Sequence, residues 1–315
     1  MVKRALVTGG AGFIGGHLAH RLVRECYEVV VLDNLSSGKR ENVPDEARLV
    51  VGSVTDPLAA LGSLFGRGHF DVAFHLAALP RVQYSIDHPE ETYAVNATGT
   101  LRMLEYCRSN EVPRFVFSSS SSVYGNQERL PLTESMPLSP MSPYAAQKAI
   151  GEALCAAWRA SYGLETISLR YFNVFGPRQS ADGGYACLIP KVAQACLSGQ
   201  APELWGDGSH TRDFTYVDDV VEANLAAARV TYSDAFGKAY NIGAGTGYSV
   251  LQVMNSIQNL LGTSIEPLRK PEVTEPAHTR ADIGLARMVF GWAPQVSFEK
   301  GLARTVAWFK ENHEM

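Results

Sequence analysis

The chain has 315 residues, of which 46% are hydrophobic and 19% charged, so it can form one large globular unit or two closely joined parts. No window contains the roughly 18 consecutive apolar residues that a membrane helix needs, which argues against a membrane partner. The net charge of −4, with scattered Lys and Arg, argues against nucleic acid.

The five cysteines form no Cys-x-x-Cys pair, and none of the eight histidines falls in a zinc-site pattern. We therefore expect free thiols and no metal. The first residues lead straight into a strand, without a signal-type apolar core. Together these features favour a cytoplasmic location.

Short apolar runs alternate with helical segments through the first half of the chain. A strand at Ala5–Val7 precedes a helix from about Phe13 to Cys26, and further strands are predicted at 29–32, 49–51, 72–76, 114–117 and 166–170. These runs are continuously apolar, as in parallel strands covered on both faces. Alternating strands and helices predict an α/β fold with a doubly wound parallel (Rossmann) sheet.

The amino-acid composition changes beyond about Phe172, where Gly, Pro and aromatic residues become frequent. We predict a Rossmann domain over residues 1–171, with a return segment near 211–245 that rejoins the main sheet at about Tyr240–Gly243. Residues 172–315 are predicted to form mainly a smaller C-terminal lobe. No linker-like run separates the two parts.

A glycine-rich turn follows the first strand and opens the first helix, with Gly9, Gly12 and Gly15 at its key positions. Such glycines permit a tight turn, close approach to a pyrophosphate and close packing of helix on sheet. The helix N-terminus favours phosphate. Asp33 ends the second strand, where a carboxylate can accept both ribose hydroxyls and repels a 2′-phosphate, so NAD is the expected cofactor.

Tyr144 and Lys148 lie four residues apart, after a Ser142-Pro143 pair typical of a helix start. They should occupy one helix face. A neighbouring ammonium favours ionisation of a phenol whose ordinary pKa is about 10. Ser120, at the end of the fifth strand, could contact the same substrate oxygen as the Tyr144 phenol.

With these motifs, the chain resembles the extended short-chain dehydrogenases that act on nucleotide sugars, and among them the UDP-hexose 4-epimerases. The resemblance runs over nearly the whole length. It includes the segments 8–15, 33–38, 75–78, 96–100, 118–125, 143–148, 169–178, 206–208, 212–214, 241–243 and 291–294.

The resemblance implies NAD as cofactor, a UDP-sugar as substrate and Ser120, Tyr144 and Lys148 as catalytic residues. It implies cofactor contacts from Gly9, Gly12, Phe13, Ile14, Gly15, Asp33, Asn34, Ser37, Gly38, Ser53, Val54, Leu76, Ala77, Ala78, Asn96, Tyr144, Lys148 and Tyr171. It implies substrate contacts in the C-terminal lobe and beside the catalytic group from Ser120, Ser121, Ser122, Tyr144, Asn173, Leu188, Ile189, Trp205, Arg212 and Thr279.

The residues after Ser120 separate the reactions of the family. Related 4,6-dehydratases typically carry Asp-Glu there, and UDP-glucuronate decarboxylases typically carry Glu at the position of Ser122, whereas this chain has Ser121-Ser122. Elimination needs an acid and a base. The pattern therefore favours 4-epimerisation through a 4-keto intermediate, with Tyr144 as the base.

Two departures from the family pattern stand out. Gly52-Ser53 replaces the usual Gly-Asp near adenine, and Asp56 is a possible substitute. Glu272 occupies the position of an arginine that contacts the diphosphate, a role open to Arg269 or Lys270.

Small Thr279, at a position where a bulky tyrosine favours plain hexoses, favours UDP-GlcNAc/UDP-GalNAc, with UDP-Glc/UDP-Gal as a further pair. A UDP-glucuronate 4-epimerase stays open because those enzymes share the serine-rich 118–124 segment. A decarboxylase or a reductase also stays open as an alternative. A non-catalytic NAD sensor, which is a different class of protein, stays open as well. The resemblance also implies a homodimer packed through helices at about 93–107 and 145–162.

Overall fold

The computed structural model describes residues 2–65, 69–181, 187–271 and 276–313. The strands, in chain order, are β1 (Arg4–Thr8), β2 (Glu28–Asp33), β3 (Arg48–Val51), β4 (Val72–His75), β5 (Arg114–Ser120), β6 (Glu165–Tyr171), β7 (Val174–Phe175), β8 (Glu203–Trp205), β9 (Thr211–Asp213), β10 (Thr215–Tyr216), β11 (Lys238–Ile242), β12 (Gly247–Ser249) and β13 (Leu268–Lys270). The helices are α1 (Phe13–Arg24), α2 (Leu58–Phe65), α3 (Val82–Asp87), α4 (Pro89–Tyr93), α5 (Gly99–Ser109), α6 (Pro143–Tyr162), α7 (Leu188–Leu197), α8 (Val217–Arg229), α9 (Val250–Leu261), α10 (Gly284–Phe290) and α11 (Phe298–Asn312). Among these described helices, none is long and apolar enough to cross a membrane.

The main sheet has seven strands in the order β11-β6-β5-β4-β1-β2-β3. Every neighbouring pair in it is parallel. The predicted doubly wound parallel sheet is therefore confirmed. Between β1 and β4 the order reverses, and in such sheets ligands bind beyond the carboxyl ends of the strands at this point.

Both faces of the sheet are buried, which explains the continuous apolar runs. On β1, Ala5 and Val7 pack towards α1 and α8, while Leu6 packs on the opposite face with residues of α2, α5 and α6. Because side chains alternate along a strand, each strand supplies both cores. Helices on both faces hold the strand ends at fixed positions.

The second lobe is built on its own apolar core, formed by α7, α9, α11 and short strands. Its strands pair as β7 with β10, β8 with β13, and β9 with β12. The strand β11 lies at the edge of the main sheet beside β6, with Tyr240 opposite Leu169. The division at residue 171 stays a prediction.

Candidate active site

The glycine turn at the end of β1 is sterically closed to larger residues. Gly9 has φ of +70°, and a Cβ there would lie 2.6 Å from the Ala77 nitrogen. A Cβ on Gly15 would lie 2.1 Å from the Gly9 carbonyl oxygen. Gly12 caps α1 with no side-chain hydrogen bond, which leaves the helix N-terminus open to a phosphate. The turn fits a dinucleotide, and Phe13 and Ile14 follow it in the first turn of α1.

Asp33 lies beside the turn at the end of β2 and is largely buried. Its carboxylate accepts hydrogen bonds from the Ala11 nitrogen at 3.0 Å and the Leu35 nitrogen at 2.8 Å. Each carboxylate oxygen has a second lone pair, so both can still accept a ribose hydroxyl. Asp33 thus fits the role predicted for it.

The remaining adenine-side positions surround Asp33. The Asn34 side chain accepts from the Ser36 nitrogen and hydroxyl, and Gly38, which follows Ser37, packs against Ala11. Ser53 donates its backbone N–H to the Asp56 carboxylate at 2.8 Å. Asp56 therefore stabilises its own turn in this structure, while Val54 is buried in the core beside α5.

A buried polar chain links the glycine turn to α5. The Thr8 hydroxyl is 2.7 Å from His75 Nδ1, and His75 Nε2 is 3.0 Å from the Thr100 hydroxyl. Thr100 donates to the Asn96 carbonyl, so Nε2 carries the hydrogen and Nδ1 accepts from Thr8. Burial lowers the pKa of His75 to about 3, which keeps it neutral. Thr8 also accepts from the Ala77 nitrogen, which fixes the Leu76–Ala78 segment.

Asn96 lies in a π-helical turn, Ala94–Thr98, that joins α4 to α5. Its amide accepts from the Leu79 nitrogen at 2.8 Å and donates to the Leu79 carbonyl at 3.1 Å. It also donates to Gln147 Oε1 at 2.8 Å. Asn96 therefore joins the loop after β4 to the helix α6, a link through Gln147 that sequence reasoning missed.

The helix α6 carries Tyr144 and Lys148 in the predicted way. The Ser142 hydroxyl accepts from the Ala145 nitrogen and caps the helix, and Pro143 occupies its first turn. The Ser85 hydroxyl accepts the Tyr144 N–H at 3.0 Å, a second contact that the sequence did not reveal.

Ser120 stands at the end of β5, where its hydroxyl also accepts the Ser122 N–H at 3.2 Å and thus orders Ser121 and Ser122. The structure brings Ser120, Tyr144 and Lys148 together.

The electrostatics around Ser120, Tyr144 and Lys148 differ from the expectation that the neighbouring ammonium favours ionisation of Tyr144. Lys148 Nζ donates to the Ser118 carbonyl at 2.6 Å and lies 5.9 Å from the centre of the Tyr144 ring. Burial raises the pKa of Tyr144 to about 12, although a hydrogen bond with Ser120 opposes the rise. Burial lowers the pKa of Lys148 to about 8. The protein alone thus holds Tyr144 as a neutral phenol, and ionisation requires a further positive charge near it.

Tyr171 ends β6, and Asn173 lies just after it on the way to the second lobe. The Tyr171 hydroxyl donates to the Asn224 side chain at 3.0 Å, and the ring packs in the main core. A cofactor contact of Tyr171 would therefore use its backbone. Asn173 is exposed, and its carbonyl accepts from the Thr215 nitrogen at 3.1 Å.

In the second lobe, two residues that were predicted to contact the substrate lie next to each other at β9. Arg212 Nη1 donates to the carbonyls of Thr211 at 3.0 Å and Ala277 at 3.2 Å. The Thr279 nitrogen donates to the Thr211 carbonyl at 3.1 Å, so Thr279 lies beside Arg212. Trp205, at the end of β8, is 43% exposed and is not a core aromatic.

Two other residues of this lobe that were predicted to contact the substrate are less accessible to it. Ile189 is fully within the lobe core, whereas Leu188 at the start of α7 is half-buried. The position of Glu272 lies outside the described residues. Within the described ranges no cluster of His, Cys, Asp or Glu could hold a metal ion, and the five cysteines are free thiols.

Asp213 has a structural role in this lobe that sequence reasoning did not predict. Its buried carboxylate accepts N–H groups from Ala244 at 2.7 Å, Gly245 at 2.9 Å and Ala281 at 2.9 Å. It joins β9 to the loop after β11 and to the segment of Thr279. Burial raises the pKa of Asp213 to about 6, and the three amides oppose the rise.

The parallel sheet, the glycine turn and the Ser-Tyr-Lys group define a nicotinamide-dependent enzyme of the short-chain dehydrogenase class. The sequence profile of the NAD dependent epimerase/dehydratase family matches residues 5–243. The chain belongs to this family. The expectations of this resemblance, of an enzyme and of NAD as cofactor are thereby confirmed.

Several relatives that match this chain over nearly their whole length are named as epimerases of different UDP-sugars. The chain is 38% identical to a UDP-glucose 4-epimerase of Mycolicibacterium smegmatis, over 99% of this chain and 100% of the relative. Its structure resembles the UDP-N-acetylglucosamine 4-epimerase of Methanobrevibacter ruminantium at 35% identity and a TM-score of 0.91, covering 100% and 99% of the two chains. It also resembles the UDP-glucuronic acid 4-epimerase of Bacillus cereus, solved with UDP-glucuronic acid and NAD, at 30% identity, a TM-score of 0.89 and coverage of 98% and 99%.

Proposed function

We propose that the protein interconverts the C4 epimers of a UDP-sugar through a 4-keto intermediate, using NAD. One observation carries the proposal: Ser120, Tyr144 and Lys148 meet at the carboxyl ends of the strands beside the glycine turn, and serines follow where elimination would need an acid and a base. This arrangement supports oxidation and re-reduction at one carbon.

The roles of the residues follow from their contacts. When bound, NAD accepts a hydride from the sugar C4 and returns it, and its positive ring supplies the charge that ionisation of Tyr144 requires. Tyr144 takes the proton of the 4-hydroxyl and later gives it back. Ser120 holds the same oxygen, and Lys148, tied to Ser118, holds the nicotinamide ribose. Asp33 binds the adenosine ribose.

The second lobe would hold the UDP group while the keto sugar turns. Trp205 offers an exposed aromatic face for the uracil, and Arg212 offers a cation for the diphosphate. Thr279 is a small residue at the position where a bulky tyrosine favours plain hexoses in the family. Its buried hydroxyl makes no hydrogen bond to the rest of the described chain. These features support UDP-GlcNAc/UDP-GalNAc as substrates, with UDP-Glc/UDP-Gal as a second pair.

One observation favours UDP-glucuronate as the alternative substrate. The Ser122 hydroxyl is buried beside Ser120 and, within the described residues, has no hydrogen-bond partner. A buried hydroxyl without a partner is costly, so a polar substituent of the sugar is a fitting partner. A carboxylate at C6 would accept hydrogen bonds from Ser121 and Ser122.

The experiment is to incubate the protein with UDP-GlcNAc, UDP-Glc and UDP-glucuronate separately and to follow the anomeric protons by NMR. The matching galacto-sugar should form fastest from UDP-GlcNAc, and a Thr279→Tyr variant should lose this substrate while retaining UDP-Glc. Release of carbon dioxide or net reduction of NAD would instead indicate a decarboxylase or a reductase. NAD binding without any turnover would indicate a sensor.

We further propose that the enzyme is a homodimer packed through α5 and α6. Leu101 on α5 and Ile150 and Ala157 on α6 leave apolar side chains exposed, whereas Leu154 is half-buried. Neighbouring helices with exposed apolar faces suit association with a second copy. A cytoplasmic location, expected from the unpaired cysteines, remains part of the proposal.

A further inference from the structure

A buried ion pair lies one helical turn below the catalytic lysine. Glu152 on α6 and Arg170 on β6 are joined by two hydrogen bonds, from Nε at 2.9 Å and from Nη2 at 2.7 Å. Their side chains are only 9% and 6% exposed. None of the predicted cofactor or substrate contacts uses either residue. Burying two charges costs desolvation free energy, which the pair must recover through its hydrogen bonds.

The same carboxylate is connected to the catalytic strand. Glu152 Oε1 accepts a hydrogen bond from the Ser119 hydroxyl, while Lys148 Nζ donates to the Ser118 carbonyl. Two residues one turn apart on α6 therefore hold two consecutive residues of β5. The next residue of that strand is Ser120, whose hydroxyl is hydrogen-bonded to Tyr144.

Arg170 anchors the carboxylate to the opposite side of the site. Its Nη1 donates to the Tyr124 hydroxyl at 2.8 Å, and Tyr124 donates to Asn241 Oδ1 at 2.7 Å. Asn241 in turn donates to the Leu132 carbonyl at 2.8 Å. Glu152 is thus held by a continuous buried network, one helical turn from Lys148 on α6.

Among the described groups that interact with Lys148, Glu152 is the only formal anion. Burial lowers the pKa of Lys148 to about 8, and on its own helix Cys155 and then Glu152 oppose this lowering. Burial also raises the pKa of Cys155 to about 12, so Cys155 is a neutral thiol and Glu152 carries the charge. Tyr144, also on α6, is a neutral phenol, and His75 on β4 is neutral. Arg170 on β6 is paired with Glu152, and β5 presents only the Ser118 carbonyl and the Phe117 ring.

We propose that Glu152 is a positioning residue for the catalytic group: its carboxylate keeps Lys148 protonated and fixes the end of β5 that carries Ser120. Arg170 holds the carboxylate in place without displacing it from Ser119. The inference rests on the proposed function, because it assigns Glu152 an effect on the lysine and the serine of that mechanism.

The first test is a Glu152→Gln variant, with 15N-labelled lysine and an NMR titration of the Lys148 Nζ resonance, assigned with Lys148→Arg. This readout needs no turnover. We expect the midpoint of the Lys148 titration to fall by about one pH unit, so that near the midpoint the protonated fraction drops several-fold. Glu165→Gln, which breaks the other Arg–Glu pair of β6 far from Lys148, should leave the midpoint unchanged. An unchanged midpoint in Glu152→Gln would overturn the proposal.

The second test is the pH dependence of kcat with the substrate found above. The alkaline limb should move to lower pH in Glu152→Gln, and Glu152→Asp should restore it at least in part. A loss of activity at every pH with no movement of the limb would assign Glu152 a purely structural role. If Glu152→Gln does not fold, the double variant Glu152→Gln/Arg170→Met, which buries no unpaired charge, is measured in the same way.

Discussion

At the scale of single residues, the missing Cβ of Gly15 predicts an effect on cofactor binding. Because a Cβ at this position would lie 2.1 Å from the Gly9 carbonyl, Gly15→Ala must displace the turn or α1. Overpacking of this kind costs about 1–3 kcal/mol. We expect NAD to bind at least about tenfold more weakly by calorimetry.

Gly62 provides the matched control, because a Cβ added there meets nothing within 4 Å and the residue lies inside α2. Gly62→Ala should stabilise the protein by about 0.5–1 kcal/mol and leave NAD affinity unchanged. Equal affinity of Gly15→Ala and the wild type would show that the glycine turn does not hold the cofactor.

The pairing of Tyr144 and Lys148 on one helix face could be predicted because their spacing is local, but their partners could not. The interval from Tyr144 to Lys148 is one helical turn and is visible in the sequence. The hydrogen bond from Lys148 to Ser118 joins residues 30 positions apart, and its existence depends on how α6 packs on β5. Buried pairs such as Glu152 with Arg170 are hidden for the same reason.

At the scale of elements, Asp213 joins three segments of the second lobe. Asp213→Asn replaces one acceptor oxygen with an NH₂ group that cannot accept an amide N–H. We expect a loss of about 1–3 kcal/mol in the free energy of unfolding. Since Arg212 and Thr279 depend on these segments, KM for the UDP-sugar should rise while NAD affinity is retained. Asp218→Asn, a change at an exposed position of α8, is the control.

The same carboxylate predicts a pH dependence of stability. Burial raises the pKa of Asp213 from 3.8 to about 6, so the folded state holds this proton more tightly than the unfolded state. Its contribution to stability is complete below the unfolded pKa and is lost as the pH rises through about 6. The difference in unfolding free energy between the wild type and Asp213→Asn, measured by chemical denaturation at pH 4 to 7, should show this decline. Parallel curves for the wild type and Asp213→Asn would contradict the assignment.

Sequence reasoning located the strands of the main sheet but not the connections of the second lobe. Flat apolar runs identified β1 to β6 because both faces of the sheet are buried. The second lobe uses strands of two or three residues, such as β7 and β9, too short to leave a periodic pattern. Its contacts with Asp213 span 31, 32 and 68 positions.

At the scale of the whole molecule, the exposed faces of α5 and α6 predict a dimer. Ile150 is 36% exposed on this surface, so a charge there would be buried at the interface. Ile150→Glu should therefore halve the mass measured by light scattering at micromolar concentration. Met288→Glu, at a 75% exposed position on α10, should not change it. A wild-type protein that is already monomeric would refute the interface.

The most direct test of the proposed chemistry is epimerisation in D₂O with catalytic NAD, followed by proton NMR of the sugar H4. Because the hydrogen removed from C4 is retained in the site and returned to the same carbon, the galacto-sugar should form with protium at C4. Tyr144→Phe should abolish its formation. Deuterium at C4, or equal turnover in Tyr144→Phe, would contradict hydride return with Tyr144 as the base.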